Sequence, residues 1–163
     1  MESEPVDPLS TDDYYLATRL TQIISVDLII HGSEREVLVG RRKNAPAKNS
    51  WFVPGGRVYK YETMEKAIER ISEEELGFKL FKSNMEHVGV YDHIYPDNFV
   101  DGDHGTHYLA HGFRAFVDKS QILPEQFQKQ HVELKWVSIH QLLENPEVHE
   151  YTKNYFRMSK KSY

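Results

Sequence analysis

The chain of 163 residues contains no cysteine. That excludes disulfide stapling and thiolate catalysis, and it leaves oxygen and imidazole groups as the ligands for any metal. No apolar run approaches the roughly 20 residues required to cross a bilayer, and the opening MESEPVDPLSTDDYY is acidic where a signal peptide carries an apolar stretch. A cytoplasmic protein without a membrane segment is the expectation. Positive charge is also short: 20 Lys and Arg stand against 25 Asp and Glu, a net charge of -5. No global basic field is present to attract nucleic acid. Internal repeats and low-complexity linkers are absent, and a 39% hydrophobic content supplies one core. A single domain over residues 1–163 is expected, with residues 1–13 a lead-in that joins a nucleotide site or a dimer interface.

Local patterns place the elements. Ser10 or Thr11 caps a short helix through Leu20, with Asp12 and Asp13 in its first turn. IISVDLIIHGSEREVLVGRR reads as two strands around the polar turn HGSERE. WFVPGG is a short strand broken by Pro54, and ETMEKAIERISEEELG is a helix stopped at Gly77. HVGVYDHIY and THYLAHGFRAFV are strands flanking the polar connector PDNFVDGDHG, a lid candidate. A surface loop then leads to the strand LKWVSI, a short helix over SIHQLLENP and a terminal aromatic helix VHEYTKNYFRM. Strands and helices mix without a regular βαβ repeat, so the fold class is α+β, helices on a mixed sheet.

The helix after Gly55-Gly56 poses the chemical question. At 100° per residue, Met64, Ala67, Ile68 and Ile71 form one inward stripe, and Glu75 falls on it one turn later, with Glu74 at its flank. Glu65, Glu69 and Glu73 face outward. A carboxylate on a core-facing stripe needs a partner or a cation, unless the stripe ends at Ile71 and Glu75 is solvated. The double glycine allows close backbone approach to a ligand, or serves only as a turn.

Gly56, Glu62, Arg70, Glu74, Glu75, Gly77 and Phe78 stand at the spacing of the Nudix box, a 23-residue signature, and the chain resembles that superfamily. One position departs: the box expects Glu after the arginine, and Ile71 stands there. The departure is similar to the GDP-mannose mannosyl hydrolase branch, which VDLII, WFVPGGRV, YDHIYPDNF through THY, and QHVELKW also resemble, over roughly residues 8 to 145. The resemblance implies a Nudix-like α/β/α sandwich with a mixed β-sheet flanked by helices. It implies Mg²⁺-dependent hydrolysis of GDP-mannose, or GDP-glucose, to GDP and free sugar, with water attacking the anomeric carbon and inverting it. A homodimer acting on a GDP-sugar follows from the same resemblance. The exposed aromatics of YTKNYF and the N-terminal segment suit an interface.

The resemblance also assigns residues. Mg²⁺, with Mn²⁺ as substitute, would be held by the Gly55 carbonyl, Glu75 and Gln130. His131, in a polar loop before LKWV, would be the general base, although as one of nine histidines it also reads as a surface residue. Arg42 and Arg57 would bind the diphosphate. Arg70 is either a third such cation or the partner of Glu62. Asp27 shares strand parity with Ser25, opposite Val26 and Leu28; it positions the sugar or is a buried carboxylate paired with an arginine. His93 and Tyr108 belong to the substrate pocket, and Pro8, Leu9 and Tyr14 would hold the guanine. The alternative for Tyr14 and Tyr15 is packing. HxxH in DHGTH is a weak metal pattern beside His111. Rival functions are a Nudix pyrophosphohydrolase that cleaves P–O, with its base at Glu74 or elsewhere, and a nucleotide-sugar sensor without catalysis.

Overall fold

Aliphatic and β-branched residues dominate IISVDLIIHGS. In the computed structural model, which describes residues 9–100, 103–122 and 131–157, they form β1 (Ile23–Ser33). The chain turns at residues 34–35 into antiparallel β2 (Glu36–Arg42), giving the expected hairpin with a tighter turn: the strands absorb His31 to Ser33 and Glu36. The segment broken by Pro54 yields two short strands, β3 (Trp51–Phe52) on β2 and β4 (Gly55–Arg57) on β1. β5 (Glu86–Tyr95) and β6 (Thr106–Phe116) pair antiparallel, and β6 runs parallel to β1 from Ile23 opposite Tyr108 to His31 opposite Phe116. β7 (His131–Ser138) is antiparallel to β2. Among the described residues the mixed sheet is ordered β3-β2-β1-β6-β5, with β4 attached to β1 and β7 to β2.

Helix ends follow their caps. In α1 (Thr11–Leu20) the Ser10 hydroxyl accepts from the Asp13 amide at 3.1 Å, with Asp12 and Asp13 in the first turn. In α2 (Met64–Leu76) Thr63 caps the start, and Gly77 ends it in the left-handed conformation at φ 82°. α3 (Ile139–Glu144) opens at Ser138, whose side chain closes a capping box with Gln141. α4 (Glu150–Asn154) is shorter than the expected aromatic helix and starts at His149, whose ring caps the Tyr151 amide.

Alternation along the strands sends side chains to two faces. Val26, Leu28, Ile30, Leu38 and Phe113 pack on one face against Ala67, Ile68, Ile71 and Leu76 of α2. On the other, Val37 and Val39 meet Leu142 and Val148, while Ile29 and Val53 meet Tyr155. Each fully buried Leu or Ile contributes about 2 kcal/mol, so both faces are anchored and the α+β sandwich is the one the pattern predicts. Glu69 corrects the outward trio: its side chain is largely covered and paired with Lys66 at 3.2 Å. No helix among the described residues is long and apolar enough to cross a membrane.

Candidate active site

Two backbone approaches open the candidate site. β4 lies so close to β1 that a Cβ on Gly55 would sit 2.5 Å from the Val26 carbonyl oxygen and 2.8 Å from Asp27 Oδ1. Only glycine permits that approach. Beside this contact a cleft of about 290 Å³ is lined by Tyr14, Asp27, Arg42, Gly55, Arg57, His93 and Tyr108, seven of the residues singled out in the sequence. Register explains the convergence. His93 and Tyr108 are direct partners across β5 and β6, and Asp27 stands opposite both Gly55 and Gly112.

The cleft carries both signs of charge. The Arg42 guanidinium lies over Phe52 at 5.2 Å, and that of Arg57 lies over Tyr14 at 4.5 Å. Arg57 Nη1 is buried with no hydrogen-bond partner among the described residues, a donor suited to an anionic ligand oxygen. Opposite them, Asp27 is held at about 6: burial raises its carboxyl, against the lowering effects of the Tyr155 hydrogen bond and Arg42. His93 Nδ1 is 3.9 Å from Asp27 Oδ2. Burial, then repulsion from His149, lowers the His93 imidazole to about 4, so at neutral pH it is an uncharged neighbour of Asp27. Burial raises the Tyr108 hydroxyl, which shares a short hydrogen bond with Tyr14 Oη.

On the α2 side, Ile71 is 0% exposed and belongs to the core. Its Cγ1 lies where a Cβ on Gly56 would come within 3.1 Å, so an aliphatic wall underlies the double glycine at the box's missing acid. Glu75, one turn on, is 2% exposed, which settles the solvated-end alternative. Glu75 is not among the residues lining the cleft, but a covered carboxylate offers the oxygen donors that suit a hard divalent cation taking its remaining ligands from substrate and water. No group of three His, Cys, Asp or Glu among the described residues forms a closed metal cage.

Arg70 goes to the structural alternative. It grips Glu62 through Nε at 2.7 Å and Nη2 at 2.8 Å, donates to the Arg57 carbonyl at 2.7 Å, and reaches Glu74 at 3.2 Å. It lies outside the cleft lining and ties α2 to β4 at Arg57. Leu9 lies outside it too, 40% exposed beside a second cavity of about 610 Å³ that also touches Arg57 and Tyr59. Pro8 and Gln130 fall outside the described residues. His131 is the first residue of β7, its backbone opposite Arg42, and not part of a preceding loop. The histidines of DHGTH separate: His104 Nε2 meets Thr18 Oγ1 at 3.0 Å and His107 meets Asp92 at 2.8 Å. His111 pairs with His87 at 3.3 Å. Through His104, and through Tyr15 donating to Asp103 at 3.1 Å, the connector is fastened to α1.

Sequence reasoning missed the contribution of the C-terminal segment. The aromatics of YTKNYF, expected as an exposed interface, turn inward: Tyr151 meets β5 and Tyr155 meets β1. Tyr151 stacks on His93 at 4.3 Å and 3°, and its hydroxyl donates to the Ile94 carbonyl at 2.6 Å. Tyr155 donates to Asp27 Oδ2 at 2.6 Å. Phe52 and Tyr95 also line the cleft unforeseen. The i,i+4 spacing of Tyr151 and Tyr155, which puts both on one helix face, was the available signal.

The NUDIX domain family model matches residues 21–158. The chain belongs to the NUDIX domain family, and the class its fold and site define is that of the Nudix hydrolases. Among individual proteins, it is similar to the low-salt glycan biosynthesis protein Agl8 of Haloferax volcanii, 35% identical over 132 residues that make up 81% of each chain. Its fold is similar to the MutT protein from Methanosarcina mazei Go1, with a TM-score of 0.63 at 22% identity over 83% of this chain and 90% of that one. The MutT NUDIX hydrolase from Burkholderia pseudomallei is similar as well, with a TM-score of 0.60 at 26% identity over 82% and 95%.

Proposed function

We propose that the chain hydrolyses GDP-mannose, with GDP-glucose as the epimeric competitor, to GDP and free sugar by cleaving the glycosidic C–O bond. The observation that carries this reading is Ile71, fully buried against Gly56 where a P–O-cleaving Nudix site would place an acid. A second carboxylate, Asp27, instead lines the same cleft as Arg42 and Arg57. Similarity to a protein named for glycan biosynthesis supports a nucleotide sugar as substrate. A homodimer in the cytoplasm belongs to the same proposal, on the family resemblance.

In this reading Arg42 and Arg57 bind the diphosphate, Arg57 through its unpartnered Nη1. Tyr108, His93 and Asp27 orient the sugar hydroxyls; neutral His93 both donates and accepts. His131, heading β7 opposite Arg42, takes a proton from water as its oxygen bonds to the anomeric carbon. The C–O bond breaks, its electron pair leaves with GDP, and the configuration inverts. Glu75, the Gly55 carbonyl and Gln130 would hold Mg²⁺ or Mn²⁺, which when bound supplies positive charge to the leaving diphosphate. Glu74 is a poor base for the P–O alternative because Arg70 already engages it. Turnover in ¹⁸O-labelled water tests the proposal: label is expected in the sugar, and label in a phosphate would overturn C–O cleavage.

A further inference from the structure

Asp27 reaches the cleft from β1. Its hydrogen-bond partner is Tyr155, the C-cap of α4, whose ring is buried among Ile29 and Val53 and lies edge-on to Tyr91 at 4.7 Å. The ring crosses β6 at Gly112, the residue paired with Asp27, where a Cβ would stand 2.9 Å from Tyr155 Cε1 and 2.8 Å from Val88 Cγ2. Any other residue there would push the ring away. From this seat the hydroxyl donates to Oδ2 at 2.6 Å, while Oδ1 is turned toward Gly55 on the cleft side. Tyr155 does not line the cleft itself. One helical turn earlier, Tyr151 stacks on His93, the other neighbour of Oδ2.

We propose that Tyr155 is a positioning residue of the active site: seated through Gly112, it fixes one oxygen of Asp27 and presents the other to the sugar. This deepens the C–O-cleaving reading and rests on it. A hydrogen bond to a charged group that sets the angle of a substrate-contacting carboxylate acts on the transition state more than on ground-state binding. A phenyl ring in the same seat would keep the packing and lose only the hydroxyl.

The test uses Tyr155→Phe, Asp27→Asn and the double variant of the full chain, with GDP-mannose and Mg²⁺. Tyr155→Phe should lower kcat about 10- to 100-fold with KM within about twofold. The double variant should be no slower than Asp27→Asn alone, because the hydroxyl acts through that carboxylate. An unchanged kcat in Tyr155→Phe, or losses that multiply in the double variant, would overturn the proposal. A second readout is independent of turnover. With ¹³Cζ-labelled tyrosine, Asp27→Asn should shift the one resonance that Tyr155→Phe removes, and no shift would overturn the contact. Labelled-water products from the wild type on the same preparation report the bond cleaved, so failure of the C–O reading is told apart from failure of the Tyr155 role.

Discussion

The two sides of the strand β1 surround their carboxylates in different ways. On the α2 side the core has taken over: Ile71 is fully buried, Arg70 is spent on Glu62, and Glu75 is the single acid among the buried residues of the helix. On the α4 side a second acid, Asp27, is partly covered, and it meets Tyr155 and His93 while Tyr151 stacks on His93. The contrast teaches that the Nudix helix persists here as a scaffold with one buried acid. The second acid, Asp27, stands on the other face of β1 and lines the cleft. One residue of strand parity separates them: Val26 points to α2 and Asp27 to α4.

The comparison breaks most severely at Glu75. Glu75→Gln should reduce kcat about a thousandfold, because a neutral amide is a weak ligand for a hard cation. Steady-state kinetics across a Mg²⁺ titration measures it, and a rate within threefold of wild type would remove Glu75 from the metal set. Restoring the box at the core is expected to cost stability. Ile71→Glu places an unpaired carboxylate where burial is complete and should destabilise the fold by about 3 to 5 kcal/mol, read from urea midpoints at neutral pH. A loss below about 1 kcal/mol would mean that the acid finds a cation there and that the two sides are less different than they look.

The smallest effect sharpens the α4 side. The His93 imidazole is lowered to about 4 in the folded protein against 6.5 unfolded, so the unfolded chain binds more protons between those values. This group's contribution is therefore present above pH 6.5 and is lost as pH falls toward 4. Asp27 works with the opposite sign, since its raised carboxyl favours the folded protein at low pH. The difference between wild type and His93→Asn isolates the imidazole. It should shrink by about 2 kcal/mol from pH 7 to 4.5 in denaturant melts, and a difference that is flat with pH would show that His93 is not held neutral by burial.

Periodicity and cap chemistry were enough to place α1, α2, the β1–β2 hairpin and the β5–β6 pair, because each is set by contacts within a few residues or by a single alternating face. The Nudix box was legible for the same reason: its spacing lies on one loop and one helix. Glu75 was legible from the helical wheel as an acid on the inward stripe, and Asp27 from strand parity as an acid facing away from one hydrophobic layer. What went unread lies far apart in the chain. Arg70 carried two open roles in the sequence, and only the 2.7 Å contact with Glu62 chose between them. Tyr155 meets Asp27 across 128 positions, and the aromatics of the last helix read as surface because nothing local says which layer they will pack on.

The sequence by itself therefore determined the family, the helix that keeps Glu75, and the substitution at Ile71, since these depend on identity and short spacing. The tertiary structure alone decided which acid Tyr155 would hold, that Gly112 would leave room for its ring, and that His93 would stack under Tyr151. Those choices follow from strand register and layer packing, which join distant residues through the burial of whole faces rather than through any local signal.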